Sequence, residues 1–430
     1  MSERYRRSEE HLARAKRTIP LGAQTFSKSP THLPYGAAPF YLARGHGARV
    51  WDLDGNVYVD FVNALCAVSL GYCDPDVDAA VREQLAAGVT FSLSHPLEAE
   101  LAELLCGVIP CAEAVRFGKN GSDATSAAIR LARAVTGRER VAVCGYHGWQ
   151  DWYIGSTARH LGVPGAVRAL THVFAYNDAA SLERTLAAHP GEFAAVMLEP
   201  MAAEWPRDDF LARVRTLADA HGALLVFDET ITGFRFALGG AQQLFGVTPD
   251  LATFGKGLAN GLPLAAVVGR RELMRGMEEI FFSTTFGGET LSLAAACAVI
   301  RKLQREPVLE TLARRGQRLL DGLALRLAES GAGEWLSLSG HPSWSVLALR
   351  DAPPYSSWEL KTYLLQELLA RGFLTLGSHN MSYAHSEADV DALLAAYAEL
   401  LPRLVTAVRE KHLERELRGE RLQPLFRVRP

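Results

Sequence analysis

Between residues 75 and 270 the chain alternates short, mostly apolar runs with amphipathic stretches, and no other feature limits its fold as strongly. The runs at 114–117, 140–144, 194–198, 223–227, 251–254 and 265–268 read as strands. The stretches at 96–108, 122–136, 179–189 and 210–221 read as helices. A strand covered on both faces loses the polar–apolar alternation of a half-exposed one. Continuous apolar strands separated by helices therefore predict an α/β fold, a largely parallel sheet with helices on both faces.

The flanks carry other patterns. A helical pattern over 8–18 stops at Pro20 and Gly22, and a loop rich in Ser, Pro and Thr follows over 24–39. Residues 47–60 read as two short strands around an Asp54-Gly55-Asn56 turn. Beyond 290, helices are expected at 291–304, 310–329 and 387–401, and strands at 343–349 and 373–375. The expected organisation is an N-terminal segment (1–60) packing with a smaller C-terminal α+β domain (289–430), and a large domain (61–288).

A chain of 430 residues with 48% hydrophobic and 22% charged residues has ample material for such cores. Its formal net charge of −3 gives no general attraction to nucleic acid or anionic membrane. Basic residues gather only at the ends, around Arg4, Arg6 and Arg7 and again at Arg415, Arg418, Arg421, Arg427 and Arg429; they read as solvated faces. Six scattered cysteines show neither CxxC nor zinc spacing, so no metal is expected and the thiols suit a reducing compartment. The first residues lack an apolar signal region, and Glu3, Glu9 and Glu10 oppose a transit peptide; a cytoplasmic location is expected. No apolar stretch is long enough for a membrane span.

Three polar interruptions fall at the expected carboxyl ends of strands, where open α/β sheets bind ligands. In Phe117-Gly-Lys-Asn-Gly-Ser-Asp-Ala124 a strand runs through a glycine turn into a helix. Gly121, the first-turn amides and the Ser122 hydroxyl could cradle a phosphate, or Ser122 could be an ordinary N-cap. The segment lacks both GxxxxGK[ST] and GxGxxG. Asp228 and Glu229 end the apolar run at 223–227. They suit a carboxylate paired with a protonated pyridine nitrogen, a magnesium-binding acidic pair (disfavoured without a P-loop), or a solvent-facing strand end. Lys256, between Gly255 and Gly257, suits an amine nucleophile in apolar surroundings or a surface turn. Read together, one ligand accounts for all three: a phosphorylated pyridine aldehyde.

The segments FGKNGSDATSAAIRLARAVTGR, GYHGW (145–149), LEP (198–200), VFDETITGFR (226–235), PDLATFGKGLANGLP (249–263) and STTFGGETLSLAAA (283–296) together resemble the class III aminotransferases that depend on pyridoxal 5′-phosphate (PLP), in particular the branch that includes glutamate-1-semialdehyde 2,1-aminomutase. The resemblance implies the type I fold, a mostly parallel seven-stranded sheet plus a smaller domain, and a homodimer with shared active sites. It implies that Lys256 holds PLP as a Schiff base and later moves a proton, and that Asp228 pairs with the pyridine nitrogen. Gly121 and Ser122 would hold the phosphate, Tyr146 would stack on the ring with His147 close by, and Glu199 would lie near the ring hydroxyl. Thr285 would reach the phosphate of the neighbouring subunit.

The chain departs from the aminomutase pattern in its loops. Gly22-Ala-Gln-Thr-Phe-Ser-Lys28 replaces a stretch with a substrate-binding Ser and Arg, Leu65 stands where a Trp is usual, and Trp149 and Trp152 occupy the loop after GYHG. Gln24, Lys28, Trp149, Trp152, Tyr153, His379 and Asn380 are therefore expected substrate contacts, with core packing as the alternative for the aromatic and late-chain residues. The expected activity is transfer of an amino group from an amino acid, L-glutamate foremost, to a carbonyl acceptor such as a sugar or secondary-metabolite intermediate. Intramolecular amino transfer of the aminomutase kind is the second reading, and a non-catalytic binding protein of the same fold the third.

Overall fold

The computed structural model describes residues 3–423, so Arg427 and Arg429 of the basic tail lie outside the described residues. The chain forms two compact units. Of the described residues, one unit comprises 3–74 and 310–423, and the other spans Pro75–Leu309. These divisions differ from those expected at 60/61 and 288/289. Helix Thr290–Arg305 packs on helices Pro75–Ala87 and Pro96–Val108 and therefore stays with the second unit. At its end, Lys302 and Arg305 both reach Asp76, at 3.2 and 2.7 Å.

The first unit opens with helix Arg6–Ala15, then strands β1 (Leu42–His46), β2 (Arg49–Asp52) and β3 (Val57–Asp60). Asp52 closes the β2–β3 turn by accepting from the backbone of Asp54 and Asn56 and from the Tyr58 hydroxyl.

In the second unit, strands β4 (Ala114–Gly118), β5 (Arg140–Cys144), β6 (Thr171–Val173), β7 (Phe193–Leu198), β8 (Leu224–Asp228), β9 (Leu251–Phe254) and β10 (Ala265–Gly269) form one sheet in the order β4-β10-β9-β8-β7-β5-β6. Only β10 runs against its neighbours. The apolar runs become strands because both faces are covered: β7 is buried at every position, and Ala124, Ala128 and Leu131 of helix Gly121–Thr136 pack against Val143, Met197, Val226 and Val267. Each fully buried Val, Leu or Met of this layer contributes about 1.5–3 kcal/mol over exposure.

The chain then returns to the first unit with helix Val308–Ser330 and strands β11 (Leu336–His341), β12 (Trp344–Leu349), β13 (Phe373–Leu374) and β14 (Ser378–Asn380). β11, β12 and β14 form an antiparallel sheet, and β13 pairs in parallel with β3. Helix Glu387–Arg409 continues through Pro402. Proline removes one helix hydrogen bond, but Leu404, Val405 and Val408 beyond it are buried, and that packing carries the helix past the break expected at 401.

Candidate active site

The six parallel strands of the second unit point their carboxyl ends the same way. In register, Cys144 lies opposite Leu198, Leu198 opposite Phe227, and Asp228 opposite Thr253. The segments that follow these strand ends, carrying Tyr146, His147, Glu199 and Lys256, thus leave one edge of the sheet, with Asp228 the last residue of β8.

Asp228 is 4% exposed and its carboxylate is almost fully engaged. Oδ1 accepts from the Thr230 amide (3.1 Å), the Thr230 hydroxyl (2.5 Å) and the Thr253 hydroxyl (3.1 Å). Oδ2 meets His147 Nδ1 at 2.9 Å and keeps room for one more donor. Burial would raise this carboxyl, but the hydrogen bond and charge of His147, with the Thr230 donors, more than offset it. The group titrates below the usual aspartate range and is held as a carboxylate. The His147 ring is itself wedged: Nε2 lies 3.2 Å from the Cys144 carbonyl, and Trp152 stacks parallel to it at 6.5 Å.

Glu229, one residue on, has a different task. It accepts from the amides of Ala241 and Gln242 at 2.8 and 2.9 Å and from the Thr232 hydroxyl, and so anchors a short helix. Burial pushes its carboxyl up. The acidic pair thus splits into one carboxylate at the strand end and one structural clasp, and neither is solvent-facing.

The glycine turn after β4 opens helix Gly121–Thr136, with Asn120 as N-cap and Asp123 accepting from the amides of Lys119 and Asn120. The first-turn amides at Gly121 and Ser122 have no intrahelical acceptor by geometry. A β-carbon on Gly121 would come within 3.2 Å of the Thr230 methyl, and one on Gly255 within 3.4 Å of the same methyl. Thr230 therefore joins the turn, the residue before Lys256, and Asp228. Gly148, at φ 104°, brings the loop after β5 onto Ser122: a β-carbon there would strike the Ser122 hydroxyl, which accepts from the Trp149 amide at 3.3 Å.

Glu199 is buried and accepts from the Tyr146 amide at 2.9 Å. The Tyr146 ring is 42% exposed, edge-on to Tyr153. Lys256 follows β9 with φ 45°, a left-handed conformation that costs a residue with a β-carbon about 1–2 kcal/mol. The site is thus strained at the amine-bearing residue itself. Thr230 and Thr253, which set the Asp228 carboxylate, escaped the sequence reading: Thr253 becomes its partner only through the β8–β9 register.

The remaining expected residues scatter. Thr285 is exposed and lines a polar cavity of about 740 Å³ with Thr90, Ser92, Ser94, Ser283 and Thr284. Gln24 and Lys28 line an apolar cavity of about 550 Å³ in the first unit, with Leu65, Asp60 and Tyr72. Trp149 is 64% exposed.

Four of the expected substrate contacts, Trp152, Tyr153, His379 and Asn380, are buried with their polar atoms paired inside the protein. Trp152 is buried behind His147, its indole N–H donating to the Ser126 hydroxyl at 2.9 Å. His379 is fully buried between the Ser345 and Tyr397 hydroxyls, at 3.2 and 2.8 Å. Asn380 is 2% exposed and donates to the Val62 carbonyl at 2.7 Å. Tyr153 is likewise buried, its hydroxyl on the Gly145 carbonyl at 2.6 Å. Among the described residues no cluster of three or more His, Cys, Asp or Glu could hold a metal, and no helix is long and apolar enough to cross a membrane.

Known proteins resemble this chain in sequence and fold. Residues 33–332 match the family model for class-III aminotransferases. A glutamate-1-semialdehyde 2,1-aminomutase of Roseiflexus castenholzii is 36% identical over 94% of this chain and 99% of that protein. A 3-aminobutyryl-CoA aminotransferase of Cloacimonas acidaminovorans is 34% identical over 92% and 96%. The solved structure of the Sphingopyxis sp. MTA144 FumI protein, in its PLP internal aldimine form, superposes with a TM-score of 0.86 at 32% identity, covering 94% of this chain and 97% of that one. The chain belongs to the class-III aminotransferases, a family of enzymes that work with pyridoxal phosphate.

Proposed function

We propose that this chain is an aminotransferase that takes an amino group from an amino-acid donor, L-glutamate foremost, and passes it to a separate carbonyl acceptor, a sugar or secondary-metabolite intermediate. The observation that carries the PLP side of this reading is the Asp228 carboxylate, kept ionised in a buried site with one acceptor position of Oδ2 unspent. That is the partner a protonated pyridine nitrogen requires. The residues fit the cofactor elsewhere too. The first-turn amides and Ser122 offer donors to a phosphate, and Gly148 and Gly121 leave the close approach that a β-carbon would fill. The half-exposed Tyr146 ring offers a face, and Glu199 a carboxylate, beside it.

Bound PLP supplies an electron sink for the charge left when an amino acid loses its Cα proton. Lys256 anchors the cofactor, and its amine takes and returns the proton at the substrate carbon. His147 holds Asp228 in position, and Thr230 and Thr253 keep its other oxygen occupied. Trp149, whose amide donates to the Ser122 hydroxyl, contacts the substrate. We further propose a homodimer in which Thr285 reaches the neighbouring cofactor; the exposed Phe281, Phe286 and Leu93 near it, 80%, 56% and 86% exposed, support a covered surface there.

A transaminase and an aminomutase part ways when glutamate is supplied without acceptor. Stoichiometric release of 2-oxoglutarate in a single half-turnover is expected. The second reading, intramolecular transfer, is favoured by the name of the 36% identical Roseiflexus protein; absence of any keto acid from glutamate and from a panel of other amino acids would select it.

A further inference from the structure

The cavity of about 740 Å³ in the second unit lies against the edge strand β4 and is lined by the hydroxyls of Thr90, Ser92, Ser94, Ser283, Thr284 and Thr285. Among the described residues none of these six makes a side-chain hydrogen bond to the protein. Hydroxyls elsewhere in this unit are spent internally: Ser126 accepts from Trp152, and Thr230 and Thr253 donate to Asp228. The six stand on two segments without helix or strand, 88–95 and 281–289, and both are tied to the body of the unit. The Thr290 hydroxyl meets the Gly88 and Val89 carbonyls at 3.0 and 2.9 Å. Arg130 and Arg116 donate to the Phe281 and Phe282 carbonyls at 2.7 and 3.2 Å. The charged residues of the lining are Arg116 and Glu98, one of each sign, and Phe91, Leu93 and Phe282 add apolar surface.

We propose that this cavity binds a polyhydroxylated ring, a sugar or cyclitol, through its hydroxyls. A Ser or Thr hydroxyl both donates and accepts. Six of them, uncommitted, match a ligand whose own groups also do both. A carboxylate or phosphate only accepts, and would find a single cation here, Arg116, beside Glu98 of opposite sign. A wholly apolar ring would take water from the hydroxyls and return no hydrogen bond, which is costly. The C–H face of a polyol ring suits Phe91, Leu93 and Phe282, so polar groups orient the ligand while apolar ones cover it. The inference deepens the reading above and rests on it in one respect. Thr285, proposed there to reach the neighbouring cofactor, lines this cavity, and the ring held here is therefore the carbonyl acceptor.

The test is calorimetric titration of the holoenzyme with myo-inositol, with cyclohexanol as a control of equal ring size and a single hydroxyl. Saturable binding of inositol and none of cyclohexanol is expected. Ser92→Ala, Ser94→Ala and Ser283→Ala should each weaken inositol binding by about 2- to 12-fold, the worth of one net hydrogen bond. No binding of inositol, equal binding of the two rings, or an affinity that none of the three substitutions changes overturns the proposal. The acceptor assignment is read separately, with the cofactor carried as pyridoxamine phosphate. A keto-inositol should be consumed, with myo-inositol as a competitive inhibitor; no consumption, or consumption that inositol leaves unaffected, overturns that assignment. The calorimetry can be repeated on Lys256→Ala, so failure of the cavity to bind a polyol stays distinct from failure of the PLP reading.

Discussion

At the residue scale, two adjacent carboxylates do unlike work because their donors differ. Asp228 receives a histidine and two threonines and stays charged; Glu229 receives two helix amides and a threonine and holds a loop. Asp228→Asn should leave PLP bound, as read by its absorbance, yet slow the half-reaction with glutamate at least about 100-fold. A near-normal rate contradicts its role. Glu229→Ala should do the reverse, lowering stability by about 2–4 kcal/mol in denaturant titration because buried donors lose their acceptor, with the half-reaction rate of the folded fraction kept. The sequence showed that both were acidic and at a strand end. It could not separate them, because the separation depends on Thr253 across the sheet and on the amides of residues 241 and 242.

At the element scale, what was legible followed from periodicity and punctuation. The strand at 140–144 and the helix at 96–108 fall where apolar runs and Pro96 put them. Helix Ser357–Ala370 went unread because it is buried nearly all round: Leu360, Tyr363, Leu364 and Leu365 leave no polar face to mark a period. Trp152, His379 and Asn380 are ambiguous in the sequence for a related reason, since a polar atom satisfied inside a core looks there like one aimed at a ligand. Gly148 is the reverse case, a functional position with no side chain to advertise it. Gly148→Ala should weaken PLP binding by about tenfold or more, through its φ of 104° and the clash with Ser122. Unchanged affinity in a cofactor titration would show that the loop after β5 does not shape the phosphate turn.

At the scale of the whole molecule, the first unit stores a sensitivity to acid. His379 and His385 are fully buried and burial holds both near 4, against about 6.5 in an unfolded chain. His385 Nδ1 accepts from the Ser382 amide at 3.0 Å and its ring stacks on Phe61, which suits only the neutral form on that nitrogen. Between those values the unfolded chain binds more protons than the folded one, so stability is full above about 6.5 and declines as the pH falls toward 4. The two together should cost the first unit on the order of 2–3 kcal/mol between pH 7.5 and 5.5. Urea titrations at the two pH values check this; equal midpoints would contradict it.

All of this turns on Lys256. The purified protein mixed with one equivalent of PLP should be yellow, lose its near-visible band on borohydride reduction, and yield after digestion a single pyridoxyl-modified peptide, the one containing Lys256. Lys256→Ala should give no such band and no modified peptide at that stoichiometry. A protein that takes up no PLP, or a Lys256→Ala variant that retains a reducible adduct with one equivalent, would contradict the account.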